Sequence, residues 1–267
     1  MGESHEACPQ AFIEQAGAMA DAARTIARQY FRQGLAIEDK ADESPVTRAD
    51  REAEAAMRAI IAAAFPDHGI VGEEYGTENP EAEFVWVLDP IDGTKRFITG
   101  NPLFGSLIAL LRNKQPILGV IDMPILEERW LGAAGRPTVF SDHQGRREAR
   151  VRPCPDLEAA TILSTAPEMF QGANEPAFHR LREAAKLTLY GGDCFNYGLL
   201  ASGFADIVIE SDLAPYDYLA HAPIIIGAGG LMSDWQGRAL TLDSDGRVLC
   251  AGDEACHAAA VSLLAAA

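Results

Sequence analysis

A short apolar run, Phe84-Val85-Trp86-Val87-Leu88, breaks off at Asp89-Pro90-Ile91-Asp92-Gly93-Thr94. Its length, its β-branched residues and the Pro and Gly that follow predict a buried strand over residues 84–88. Two acids and a hydroxyl at the end of such a strand are a strong constraint, because open α/β sheets hold their ligands at the carboxyl ends of strands. Pro90 fixes the direction in which the chain leaves. Asp92 is near enough to turn back beside Asp89, and Gly93 can take a positive φ or let a ligand approach the backbone. Two carboxylates held this close repel each other, and a hard cation is the simplest compensation. A capped turn in an ordinary loop also uses Asp and Gly, so the segment by itself leaves both readings open.

Apolar periodicity lays out the rest. Phe12, Ile13, Ala16, Met19, Ala20, Ala23, Ile26, Ala27 and Tyr30 recur at helical spacing, predicting an amphipathic helix over residues 11–31. Residues 38–45 are polar and end in Pro, as a loop does. Thr47 with Asp50 three residues on is a capping-box pattern before a second helix, which Pro66 and Gly69 stop. A short strand at Ile70-Val71 delivers Gly72-Glu73-Glu74. Further strands are expected at residues 103–111, 117–123 and 129–134.

Residues 135–155 turn polar and Arg-rich, which predicts a boundary between an N-terminal α+β half (1–150) and a C-terminal α/β half (151–267). Beyond it the elements alternate, with strands at 161–164, 205–210, 230–234 and 248–251 and helices at 177–186, 194–202, 216–226 and 254–265. The coarse result is a two-part α/β arrangement of helices packed on sheets.

Charge and cysteines bound the function. The formal net charge of −17 disfavours nucleic acid and anionic membrane as partners, since both would be repelled. A phosphorylated substrate stays admissible only if bound divalent cations invert the local field. No apolar run approaches the roughly 20 residues that span a bilayer, and residues 1–10 carry no basic segment before an apolar one, so a soluble cytoplasmic protein is expected. The five cysteines make no CxxC spacing and read as reduced thiols packed as small hydrophobes. The six histidines form no ligand-like cluster.

Two further acidic segments matter. Glu73-Glu74 follows a strand and a Gly; Glu210 ends a strand, and Asp217 opens a helix after Pro215. Alone, each reads as solvated loop or helix-dipole chemistry. Together, Gly72-Glu73-Glu74, Asp89-Pro90-Ile91-Asp92-Gly93-Thr94, and Asp217 followed by Gly227-Ala228-Gly229-Gly230 resemble the inositol monophosphatase family over most of the chain, from about Asp50 to Gly230. That resemblance implies a layered αβαβα sandwich, usually dimeric, and a magnesium-dependent phosphatase with two or three Mg2+ per site. It implies that Glu73, Asp89, Asp92, Asp217 and the carbonyl of Ile91 bind the metal. Glu73 and Thr94 would orient the attacking water, and Asp50 would be an acid close behind the metals. Backbone donors of Gly93 and Thr94 would hold phosphate oxygens if they open a helix. Nothing in the chain reads as a P-loop.

The substrate is the finer question. Tyr190-Gly191-Gly192-Asp193-Cys194-Phe195-Asn196-Tyr197-Gly198 and Pro215-Tyr216-Asp217-Tyr218-Leu219-Ala220 look like the histidinol-phosphatase branch of that family. The inositol-specific branch has Trp before the metal-binding Asp, where this chain has Tyr216. Histidinol phosphate carries an amine and an imidazole, so an acid such as Asp193 facing the leaving group would favour it. Asp193 would otherwise only cap the helix that begins at Cys194. Glu210 would share that pocket or merely end its strand. Lys95 and Arg96 could touch phosphate, and His221 could approach the pocket. The competing expectations are an inositol or broad sugar-phosphate phosphatase, and a catalytically silent metal-binding protein that has lost an essential group.

Overall fold

The computed structural model describes residues 7–33, 38–39, 45–46 and 48–265. The first part of the chain runs α1 (Gln10–Tyr30), the two-residue strands β1 (Glu38–Asp39) and β2 (Pro45–Val46), α2 (Arg48–Ala64), β3 (Gly69–Gly72) and β4 (Gly76–Glu78). β5 (Phe84–Asp92), α3 (Thr94–Ile98), β6 (Gly105–Arg112), β7 (Gln115–Met123), β8 (Glu128–Ala133), β9 (Val139–Asp142) and β10 (Gly145–Glu148) follow. Then come β11 (Thr161–Ser164), α4 (Asn174–Ala184), β12 (Leu187–Tyr190), α5 (Cys194–Ala201) and β13 (Ile207–Glu210). The chain ends with α6 (Pro215–Tyr218), α7 (His221–Gly227), β14 (Leu231–Ser233), β15 (Val248–Ala251) and α8 (Glu254–Ala265).

The strands form two large sheets. One has eight strands in the order β10-β9-β8-β7-β6-β5-β3-β4; its only parallel pair is β3 with β5. The other has five, ordered β12-β11-β13-β15-β14, with β12, β11 and β13 parallel.

Side-chain alternation in the strands divides the interior into separate cores. In β6, Leu107, Ala109 and Leu111 face one core while Ile108 and Leu110 face another. β7 repeats the split, with Ile121 and Met123 on one side and Leu118 and Val120 on the other. The second of these cores is completed by the apolar stripes of α1 and α2, including Phe12, Met19, Met57 and Ile61. The first is filled by α5, α6 and α7 through Tyr197, Leu200, Tyr218 and Ile224, and is closed by Val208 and Cys250 of the second sheet. The opposite face of that sheet, with Ile207, Ile209 and Leu249, packs on Phe178 of α4 and Ala260 of α8. The layers are therefore helix, sheet, helix, sheet, helix: the expected αβαβα sandwich. All five cysteines are buried and free. No helix among the described residues is long and apolar enough to cross a membrane.

Several boundaries differ from the sequence reading, for physical reasons. The strand expected to stop at residue 88 keeps pairing with β6 through Asp92, because a bulge between Asp89 and Asp92 absorbs Pro90. The freed Pro90 carbonyl accepts the Ser106 hydroxyl at 2.7 Å. The helix expected over residues 216–226 is two short helices. Pro223 has no N–H to return to Leu219, so one continuous hydrogen-bond ladder cannot form. The polar segment 135–155 holds a hairpin, β9–β10, that extends the first sheet. Glu38–Asp39 pairs with Pro45–Val46 in a segment read as loop, while Thr47 of the capping-box pattern lies outside the described residues.

Candidate active site

Distant parts of the chain deliver acids to one cavity of about 790 Å3, whose lining includes Glu73, Asp92, Thr94, Asp193, Glu210 and Asp217. Carboxylate oxygens of Asp89, Asp92 and Asp217 all lie within 4.8 Å of one another. Asp89 and Asp92 come from the bulged end of β5, and Asp217 from the first turn of α6. α7, which follows at once, lies tightly on the first sheet: a Cβ added at Gly119 would stand 1.9 Å from the Ala220 carbonyl oxygen. Only glycine there lets this segment come down far enough to bring Asp217 beside β5.

Local hydrogen bonds fix each acid. Asp89 is 2% exposed, and its Oδ1 accepts the Ile91 N–H at 3.0 Å. Asp92 Oδ2 accepts the Cys194 N–H at 2.7 Å, so this acid caps α5 across the middle of the molecule. Asp217 Oδ2 accepts the Ala214 N–H at 2.7 Å, the reciprocal bond of a helix start. The Ile91 carbonyl accepts the Thr94 hydroxyl at 3.1 Å and keeps a second lone pair. Gly93 takes φ 81°, the left-handed turn that separates Asp92 from α3. The Glu73 N–H donates to the Leu88 carbonyl at 3.2 Å, which sets this residue next to Asp89 across the β3–β5 pair.

So much negative charge in a buried place is costly. Burial pushes the Asp89 carboxyl well above the usual carboxylate range, and Glu73, Asp92, Asp217 and Asp50 push it further. Burial, then the Asp193 charge, raises Asp92 to about 8. Asp50 is 1% exposed in the first turn of α2, behind this cluster. Three oxygen donors at this spacing, held against their own repulsion, suit a hard divalent cation. Magnesium therefore fits the donor set, with Asp89, Asp92, Asp217, Glu73 and the Ile91 carbonyl as the groups that would hold it.

Asp193 does not cap the helix that follows it, contrary to the plain sequence alternative. Its side chain makes no capping bond; Oδ2 accepts Arg96 Nε at 2.8 Å. The reason lies in its backbone, which sits at φ 48°, ψ −131° after two glycines of positive φ and aims the side chain away from α5. The helix N–H goes to Asp92 instead. Arg96 thus faces a carboxylate rather than open solvent, and Lys95 lines the cavity as well.

Glu210 sits deeper, 3% exposed, accepting the Thr165 N–H at 3.0 Å and the Tyr197 hydroxyl at 2.8 Å. The Thr165 hydroxyl bonds to it too. Burial raises its pKa to about 7 despite these donors. His221 lines the same cavity with its ring stacked on Tyr197, centroids 3.8 Å apart, and burial lowers its pKa to about 3. It is neutral throughout the physiological range.

The sequence reading missed Thr165, Tyr197 and above all Glu54. Glu54 is wholly buried in α2, one turn after Asp50, and binds the turn that carries Glu73. An acid on the apolar face of a helix was the available signal.

The inositol monophosphatase family model matches residues 9–267. A bifunctional phosphatase of the chloroplast from Arabidopsis thaliana, IMPL2, is 48% identical over 95% of this chain and 75% of that protein. A histidinol-phosphatase from Chlorobaculum parvum is 36% identical over 86% of this chain and 88% of its own. Among solved structures, an inositol monophosphatase from Zymomonas mobilis superposes with a TM-score of 0.86 at 46% identity, covering 95% of this chain and 97% of that one.

Proposed function

This chain belongs to the inositol monophosphatase family, and from that premise we propose that it is a magnesium-dependent histidinol-phosphate phosphatase, converting L-histidinol phosphate and water to L-histidinol and phosphate. The observation that carries the substrate is the acidic wall formed by Asp193 and Glu210 in the same cavity as the carboxylate cluster. A leaving group bearing a cationic amine and imidazole gains ion-paired hydrogen bonds there, whereas an uncharged polyol, whose hydroxyls carry no charge of their own, gains nothing comparable. Relatives named as histidinol-phosphatases support the same reading.

Bound Mg2+, two or three ions per site in this proposal, would supply charge neutralisation for the phosphate and leaving oxygens and an acidified water. The chain's own residues do the rest. Asp89, Asp92, Asp217, Glu73 and the Ile91 carbonyl form the cation cage. Thr94, whose hydroxyl is already aligned on Ile91, holds the attacking water together with Glu73. Asp50 sits behind the cage and sustains its field. The N–H groups of Gly93 and Thr94 donate to phosphate oxygens, and Asp193 and Glu210 select the leaving group. The working unit is proposed to be a cytoplasmic homodimer.

A second reading has its own support. The 46% identical structure from Zymomonas mobilis is described as an inositol monophosphatase, so inositol or broad sugar phosphates are the rival substrates. Phosphate release with Mg2+ from histidinol phosphate and inositol 1-phosphate, side by side, separates the two. We expect kcat/KM for histidinol phosphate to exceed that for inositol 1-phosphate by at least about tenfold, one charged contact's worth of discrimination. Equal or reversed values would overturn the histidinol reading and leave the phosphatase reading standing.

A further inference from the structure

Glu73 follows β3 on a tight turn, residues 73–75, before β4. One side of the turn is held by the sheet, through the Glu73 N–H on the Leu88 carbonyl. The other is held by Glu54. Its Oε2 accepts the Glu74 N–H at 2.7 Å and its Oε1 accepts the Tyr75 N–H at 3.2 Å. Arg58, one helical turn on, donates Nε to Glu54 Oε1 at 2.8 Å and reaches across the turn to the Gly76 carbonyl. A further Arg58 nitrogen meets Glu78 at 2.8 Å. Gly72 completes the arrangement, because a Cβ there would stand 2.0 Å from Glu54 Oε1.

This is costly architecture for a surface turn. A wholly buried carboxylate is placed under a three-residue turn, and the chain keeps a glycine at position 72, where a side chain would displace it. A turn that needed only to reverse the chain could be closed with Asn-Gly or Asp-Gly and no buried charge. What this turn carries is Glu73, whose charge already acts on Asp89.

We propose that Glu54, braced by Arg58, is a positioning residue that fixes the Glu73 turn so that its carboxylate meets the cation site formed by Asp89, Asp92 and Asp217. The inference rests on the proposed metal-dependent function and goes beyond it. Glu54 touches neither metal nor substrate; it sets how readily the site takes up its cation.

The test uses the full-length protein stripped of metal. Glu54→Gln preserves shape but turns one acceptor into a donor facing N–H groups, and Arg58→Gln removes the brace from the partly exposed side. Mg2+ binding is measured by titration calorimetry, and phosphate release is followed against Mg2+ concentration. We expect both variants to bind Mg2+ about tenfold or more weakly, the usual effect of losing a partner behind a metal ligand. At saturating Mg2+, kcat should return to within about threefold of the parent, a split that plain destabilisation does not produce. Should Glu54→Gln not fold, Arg58→Gln decides. Unchanged Mg2+ affinity in a folded variant, or a fall in kcat that Mg2+ does not restore, overturns the proposal. If the parent protein itself binds no Mg2+, the metal reading has failed rather than the role of Glu54.

Discussion

Asp92 accepts the Cys194 N–H through Oδ2 and also offers an oxygen to the cluster with Asp89 and Asp217. Asn at this position still offers an oxygen to Cys194, so Asp92→Asn should keep the fold while weakening the cation cage. We expect turnover at ordinary Mg2+ to fall by more than about 100-fold, beyond the loss typical for an outer partner. A steady-state assay with a circular dichroism control checks this. Asp193 is the matching test of selectivity: because its charge also acts on Asp92, Asp193→Asn should change kcat/KM for both substrates, but lower that for histidinol phosphate by about tenfold or more beyond any change for inositol 1-phosphate. The residues most legible in the sequence were those whose chemistry has no use in an ordinary strand or turn, Asp89 and Asp92 above all. Asp193 was ambiguous because its role depends on an unusual φ and on Arg96, which is 97 positions away. Glu54 showed in the sequence only as an acid on the apolar face of a helix, because the turn it holds is bound through backbone N–H groups of Glu74 and Tyr75, which no side-chain pattern marks.

At the level of elements, the central strands of the first sheet (β3 and β5 to β8) and most helices could be read from their apolar patterns because each buries one face or both. The hairpin β9–β10 could not, since it lies at the sheet edge with β10 exposed throughout and carries no apolar alternation. Nor could β12, whose exposed leucines occupy the edge of the second sheet. The break between α6 and α7 was written in Pro223 but masked by the apolar residues around it. Glycines make the packing of these elements testable. Gly119→Ala forces a Cβ against the Ala220 backbone and should destabilise the protein by about 3 kcal/mol, the upper range for overpacking, and reduce activity by displacing Asp217. Gly17→Ala, in α1 with nothing within 4 Å of the added Cβ, should stabilise it by about 0.5–1 kcal/mol. Chemical denaturation of the two variants reads out both signs.

For the molecule as a whole, the cost of the site should appear as a pH dependence. An acid whose pKa is raised by folding holds its proton more tightly in the folded state. Its contribution to stability is therefore present at low pH and is lost as pH climbs from the unfolded value to the folded one. For Asp92 that window runs from 3.8 to about 8, and for Glu210 from 4.5 to about 7. A cation reverses the penalty only where the carboxylates are ionised, so the rise in melting temperature produced by Mg2+ should grow steadily from pH 5 to pH 8. An increment that is flat or shrinks over that range would contradict the assignment. His221 acts in the opposite sense: held neutral in the fold with a pKa lowered by burial from 6.5 to about 3, it costs stability as pH falls below 6.5 and adds nothing above that.

Acids distant in the chain are useful to one another only because two sheets and the helices between them bring their ends to one place. The most direct measurement is diffraction from crystals soaked in Mn2+, with the ion located by its anomalous scattering. The account predicts density for at least one ion ligated by oxygens of Asp89, Asp92 and Asp217 together. An ion bound elsewhere, or none within reach of those three carboxylates, would contradict it.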